Sequence, residues 1–262
     1  MMRRFTATIA LLVGAMAPAA AGGGATVLQH SHCVVAGGIA NPVDWDVWQE
    51  IYQPAYPIWL VPHTHHGAEC IMTFTGVTSW WFQHAGAAGS PPTIVPVPAG
   101  KPLYTEQGRV HDAGNTAPRT MAYLGIHVLE TGSHFNYPVT DPSVPTATPM
   151  PGTIEIKHFK AAFVQQKRLD GTFTIDNRIE ALPAGQSYVR PGSPTLAYYS
   201  VVRGAAVVTI RGISARMAEN TSIAIPLGSS ATIASSGPNT LLAVTVLLSG
   251  DCDKTPALCN GA

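Results

Sequence analysis

His63, His65, Glu69 and His111 are the side chains whose types and spacing could do chemistry in this sequence. A β-strand turns successive side chains to opposite faces, with a period of two. Positions 63, 65 and 69 are all odd, so on an extended segment they point to one side. His111 comes from a later segment that also reads as strand. Three imidazoles and one carboxylate on an inner sheet face make a divalent-metal site with positions left for water or substrate. Imidazole suits Fe, Ni, Cu and Zn, and the carboxylate brings in Mn and Fe. A saturated structural zinc site would more often use several Cys.

Elements must hold these residues in place, and the pattern says which. No long stretch repeats with a period of 3.6, and the helical candidates are short, Asp44–Gln53 and His158–Gln166. Elsewhere, short runs rich in Val, Ile, Thr, Tyr and Trp alternate with Gly and Pro. Such runs are Glu69–Thr75, Thr93–Val97, Met121–Glu130, Leu196–Val202, Ala205–Ile210, Thr221–Ile225 and Leu241–Leu248. Many short strands with these turns predict an all-β sandwich or barrel. Pro138, Pro142, Pro145, Pro149 and Pro151 crowd the segment Asn136–Thr153, which resists helix and sheet and reads as a link between two β units. All ten His lie at or before His158, so the second unit carries none and cannot share the metal chemistry.

A wider window gives His63-x-His65-x3-Glu69-x6-Gly76, then Gly100-x5-Glu106-x-Gly108-x2-His111-x3-Asn115. These resemble the two motifs of the cupin superfamily, with Pro57 where the first usually has Gly and Glu106 where the second usually has Pro. Both departures are at turn positions. The resemblance covers roughly Pro54 to Glu130, with every ligand position kept. It implies a double-stranded β-helix, or jelly-roll barrel, in which His63, His65, Glu69 and His111 hold one divalent ion among Mn, Fe, Zn, Ni and Cu, with Fe and Mn favoured. The same template fits the second unit. Gly185-x5-Pro191-x-Ser193-x3-Ala197-x6-Gly204 has Pro, Ser and Ala at the ligand positions. Pro226-Leu-Gly228-x2-Ala231-x3-Ser235 has Ala231 for the His. The expected architecture is therefore two cupin-like barrels in tandem, the second without metal. The expected division is a signal peptide over 1–21, a metal-binding domain with an N-terminal extension over 22–140, a linker over 141–157, a degenerate barrel over 158–250 and a Cys-containing tail over 251–262.

Met1 to Arg4 open the chain with basic charge, an apolar run broken by Pro18 follows, and small residues close it. This pattern predicts a secretory signal cleaved near Ala19 or Ala21, and the run is too short to span a membrane. The product would be secreted or periplasmic. Cleavage removes Arg3 and Arg4, leaving 13 basic side chains against 15 acidic ones, a net charge of −2. That near-neutral surface with no Lys/Arg cluster argues against nucleic acid or an anionic membrane as partner. Exported Cys33, Cys70, Cys252 and Cys259 can form disulfides in three connectivities. Cys252 and Cys259 could close a short loop, leaving Cys33 with Cys70. Cys70 should point away from the metal face, since it follows Glu69.

Smaller signals surround the motifs. Tyr104 and Arg109 flank the second motif as candidate substrate contacts, and Glu106 in its turn is a candidate contact or acid–base group. His66 should face outward. His30 and His32 form another H-x-H pair near the mature N-terminus. Trp80 and Phe82 share one face and Trp81 takes the other. Two function classes fit. One is a metal-dependent enzyme of oxygenase, decarboxylase or isomerase type, hence an oxidoreductase or lyase, acting on a small oxygenated molecule. The other is a non-catalytic module that binds or senses a small ligand or metal. A homodimer through sheet edges is a further expectation.

Overall fold

Alternation of side chains across buried strands decides which way each sheet of this protein faces. The computed structural model describes residues 24–36, 45–53, 58–59, 62–82, 93–115, 121–139, 155–161, 171–192 and 196–257. The strands of the leading half are β1 (Thr26–Val35), β2 (Trp45–Gln53), β3 (Ile58–Trp59), β4 (His63–Thr64), β5 (Gly67–Thr75), β6 (Val77–Phe82), β7 (Thr93–Pro98), β8 (Pro102–Thr105), β9 (His111–Asn115), β10 (Ala122–Glu130) and β11 (Tyr137–Pro138). Those of the trailing half are β12 (Glu155–Ala161), β13 (Phe173–Leu182), β14 (Ser187–Arg190), β15 (Leu196–Arg203), β16 (Ala205–Ile210), β17 (Ile213–Ala218), β18 (Ser222–Ile225), β19 (Ala231–Ser235) and β20 (Thr240–Ser249). Among the described residues no helix is long and apolar enough to cross a membrane.

The strands form two barrels of two sheets each. In the first barrel the sheet β12-β2-β10-β5-β8 faces the sheet β11-β4-β9-β6-β7, with β3 beside β9. In the second, β1-β13-β20-β15-β18 faces β14-β19-β16-β17. Two strands cross over. β1 precedes the first barrel in sequence yet pairs with β13 of the second, and β12 follows the first barrel yet pairs with β2 of it. Each covers a strand edge that would otherwise present unpaired amides and carbonyls.

The barrels meet through apolar faces. On β10, Leu124, Ile126 and Val128 point out of the first barrel, with Cys70 and Met72 of β5 and Val47 and Ile51 of β2. They pack in one cluster with Ile175, Ile179, Tyr198, Ala243 and Leu247 of the second barrel. Each Leu, Ile, Val or Met side chain among them, buried almost completely, contributes about 1.5–3 kcal/mol. Polar groups in this contact pair with one another. Gln49 donates from Nε2 to Thr245 Oγ1 at 2.7 Å and accepts from the Ser200 hydroxyl, and Thr245 donates to Asn177 Oδ1 at 3.1 Å.

The structure corrects the helical candidates. Trp45–Gln53 is β2, and His158–Ala161 belongs to β12, while residues 162–166 lie outside the described set. β2 is buried on both faces, so its apolar residues do not alternate cleanly and imitate a helical period. β12 begins at Glu155, inside the segment expected as linker. Pro138 lies in β11 at the margin of a sheet, where its missing amide costs no ladder bond.

The second barrel repeats the pairing of the first. Ala197 lies between Ile225 and Val246, as Glu69 lies between Thr105 and His127. Across from Ala231 stands Arg190, one residue before the Pro191 that the template put there. Ala197, Ala231 and Val246 all sit in an apolar interior with Leu242, Val244, Ile233 and Leu248. Side chains fill that barrel where the first carries histidines.

Candidate metal centre

Backbone pairing brings the two motifs together before any side chain is considered. β4 and β9 run antiparallel with His63 directly across from His111. β5 places Glu69 between His127 of β10 and Thr105 of β8. His65 lies between β4 and β5, and its carbonyl accepts the Gly108 amide at 3.1 Å. This ties the turn ahead of His111 to the first motif. Gly108 sits at φ +74°, a conformation that an L side chain resists, and Gly228 holds the equivalent turn of the second barrel at φ +70°. The flanking carbonyls of Pro62 and His66 accept the amides of Val139 and Glu130, at 2.8 and 3.0 Å.

The four side chains are buried and close. Ring centroids of His63, His65 and His111 stand 4.5–5.0 Å apart. The His65 Nδ1 donates to the Phe135 carbonyl at 2.7 Å, and the His111 Nδ1 to the Arg109 carbonyl at 2.8 Å. A carbonyl oxygen can only accept, so each Nδ1 carries a proton, which leaves Nε2 as the atom able to bind a metal. Those Nε2 atoms lie 3.7 and 2.9 Å from Glu69 Oε2. Beyond one another, these three buried atoms have no hydrogen-bond partner. Buried polar atoms are rarely left so. Buried ligand atoms that converge inside a barrel fit a bound cation, and His63, His65 and His111 offer such atoms within 4.8 Å of one another.

Electrostatics agree with that donor set. Burial, reinforced by the neighbouring imidazoles and first among them His127, lowers the His65 pKa to about 2 and keeps the ring neutral. Burial pushes the Glu69 carboxyl up, but His111 and His127 outweigh it and hold Glu69 well below the usual carboxylate range. A neutral imidazole and an ionised carboxylate are the forms that bind metal.

His127 is a site residue that the motifs did not reveal. It is 2% exposed, its ring centroid lies 4.7 Å from that of His65, and His65, Glu69 and His127 form a second group of convergent ligand atoms. Glu50 of β2 also reaches this ring, with Oε2 3.4 Å from His127 Nε2. Alternation along β10 was the available signal, because Tyr123, Gly125 and His127 share the face opposite Leu124, Ile126 and Val128. Glu50 was hidden by the helical reading of its segment.

Other expected residues fall in several places. Tyr104 does not reach the site. It lies opposite Cys70 in the β5–β8 pairing and packs into the core between the barrels, because it is one step out of phase with Thr105, the neighbour of Glu69. Glu106 is exposed and lies 3.4 Å from Arg109, so its turn directs it to solvent. Arg109 contributes its carbonyl to His111, while its guanidinium lies 4.4 Å over the Phe82 ring. Trp80 and Phe82 stand beside His111, with centroids 5.9 and 6.3 Å away, and fill the barrel next to it with Tyr52 and Tyr123. His66 faces outward and stacks on Tyr137. His30 and His32 lie on β1, paired with Asp176 and Asp253. Cys33 and Cys70 form a disulfide that links β1 to β5. Cys252 is disulfide-bonded, and Cys259 lies outside the described residues.

No family model matches the sequence, and no curated protein matches it. Solved structures do resemble the fold. An oxalate decarboxylase, solved for its substrate binding mode and a reaction specificity switch, is 12% identical, with 82% of this chain and 74% of that one covered and a TM-score of 0.53. The Lactobacillus farciminis oxalate decarboxylase formate complex is 14% identical over 83% of each chain, with a TM-score of 0.51. Vicilin from Solanum lycopersicum (tomato) is 9% identical, with 81% of this chain and 82% of that one covered and a TM-score of 0.50. Likeness at such identities is likeness of fold.

Proposed function

We propose that this chain, which has the tandem cupin fold of those structures, is an exported metal-dependent enzyme acting on a small oxygenated molecule. One observation carries the reading: His65 Nε2, His111 Nε2 and Glu69 Oε2 converge in a buried interior with no other partner. His63, His65, Glu69 and His111 would hold one divalent ion, with Fe or Mn favoured by the mixed imidazole–carboxylate set. When bound, such an ion acts as a Lewis acid toward substrate oxygen and supports oxygenase, decarboxylase or isomerase chemistry.

The chain's own residues prepare the surroundings. The Phe135 and Arg109 carbonyls fix the tautomers of His65 and His111. Trp80 and Phe82 exclude water beside His111. Burial holds the Tyr52 and Tyr123 hydroxyls protonated, and the buried Tyr52 hydroxyl, without a hydrogen-bond partner, is a donor available to a substrate oxygen.

The test is elemental analysis of protein isolated from its native compartment, then O₂ uptake and CO₂ release with small carboxylic acids. Oxalate comes first, because two of the fold's solved examples are oxalate decarboxylases. One ion or more per chain with turnover supports the reading, and metal with no turnover favours a binding module. Protein that takes up no stoichiometric metal overturns the metal centre. N-terminal sequencing of the exported protein tests the signal, with chains expected to begin after Ala19 or Ala21.

A further inference from the structure

Glu69 presents its two oxygens to different imidazoles. Oε2 faces His111 and His65, whereas Oε1 lies 3.7 Å from His127 Nε2. Glu50 Oε2 lies 3.4 Å from that same nitrogen. His127 is almost wholly buried, and neither of its ring nitrogens has a hydrogen-bond partner. The arrangement has room built into the strands. Gly125 pairs with Glu50 across β10 and β2, and a Cβ at position 125 would meet His127 Nε2 at 3.1 Å and Glu50 Cβ at 3.8 Å. The second barrel has Val246 in the place of His127 and Ala197 in the place of Glu69, so both groups are missing together from the barrel without histidines.

We infer that Glu50, Glu69 and His127 form a second divalent-cation position beside that of His63, His65, Glu69 and His111, with the Glu69 carboxylate shared between the two. The inference rests on the first position binding metal. His65 has one lone pair and serves the first ion, which leaves one imidazole and two carboxylates for the second. That oxygen-rich set suits Mn²⁺ or Fe²⁺ better than Cu²⁺. In two-metal enzyme sites the ions stand about 3.5–4 Å apart. Two dications exceed the charge of Glu50 and Glu69 together. The excess favours an anionic substrate with oxygen donors, such as a small carboxylate.

Metal-free full-length exported protein, equilibrated by dialysis with Mn²⁺ alone, tests this by stoichiometry and by electron paramagnetic resonance. Two Mn per chain with a magnetically coupled spectrum is the expected result. Glu50→Gln and Gly125→Ala leave the first four ligands in place and should each bind one Mn with an uncoupled spectrum, which also reports an intact barrel. One uncoupled Mn in the unaltered protein overturns the second position and leaves the first standing. No stoichiometric Mn in the unaltered protein removes both. The unaltered protein decides between these outcomes even where a variant fails to fold.

Discussion

His63 and His111 face each other across the antiparallel β4–β9 pairing, with ring centroids 4.5 Å apart. Each belongs to a different motif, and this contact joins the two. His111→Ala should abolish stoichiometric metal binding at the first position, because its Nε2 lies 2.9 Å from Glu69 Oε2 among the converging side chains. Export should be unchanged. Metal content of the purified variant checks this, and full occupancy of the first position would remove His111 from the ligand set.

His30→Ala should leave metal content at its unaltered value. His30 sits on β1, paired with Asp176 of β13 in the second barrel's sheet. The same metal analysis applies, and any fall in stoichiometry would contradict the placement of β1.

Acid should destabilise the metal-free protein, and the sign follows from His65. Its folded pKa is lowered to about 2 from the ordinary 6.5. Below about pH 6.5 the unfolded chain takes up a proton that the folded chain refuses. Stability from this group is therefore complete above that pH and is lost as pH falls toward the folded value, by up to about 1.4 kcal/mol per pH unit. Glu69, also held low, adds a loss of the same sign at more acid pH. Urea midpoints from about pH 8 to pH 4 measure the effect. The His65→Gln variant should show a shallower fall below about pH 6.5, and an equal slope in both proteins would contradict a buried neutral ring at 65.

Reduction should loosen the junction between the barrels. The Cys33–Cys70 bond joins a strand of the second barrel's sheet to a strand of the first across 37 positions of sequence. Closing a loop of that size is worth about 2–4 kcal/mol. The Cys33→Ala, Cys70→Ala double variant should unfold at lower urea by that margin while retaining its metal. A midpoint equal to that of the unaltered protein would show that the apolar contact alone holds the barrels together.

The convergence of these side chains could be read in the sequence because its rule is local. Odd positions 63, 65 and 69 share a face of any extended segment, and Cys70 must then take the other, where it lies at the inter-barrel core. The worn second copy was also legible, since Gly228 keeps its turn while Ala231 and Ala197 fill space in an apolar interior. Tyr104 was misplaced by one step of the same alternation. Glu50 was missed because β2 is buried on both faces, and a strand buried twice loses the polar–apolar rhythm that shows which face is which. His127 was missed because neither motif includes position 127.

What the sequence determined by itself was the all-β class, the tandem barrels and the four residues that converge in the first. Tertiary structure decided that β1 and β12 exchange barrels, that His127 and Glu50 flank Glu69, and that Cys33 meets Cys70. The reason is physical. Side-chain alternation depends on neighbours along the chain, whereas the partner of a strand edge is whichever distant segment satisfies its amides and carbonyls, and no local spacing records that choice.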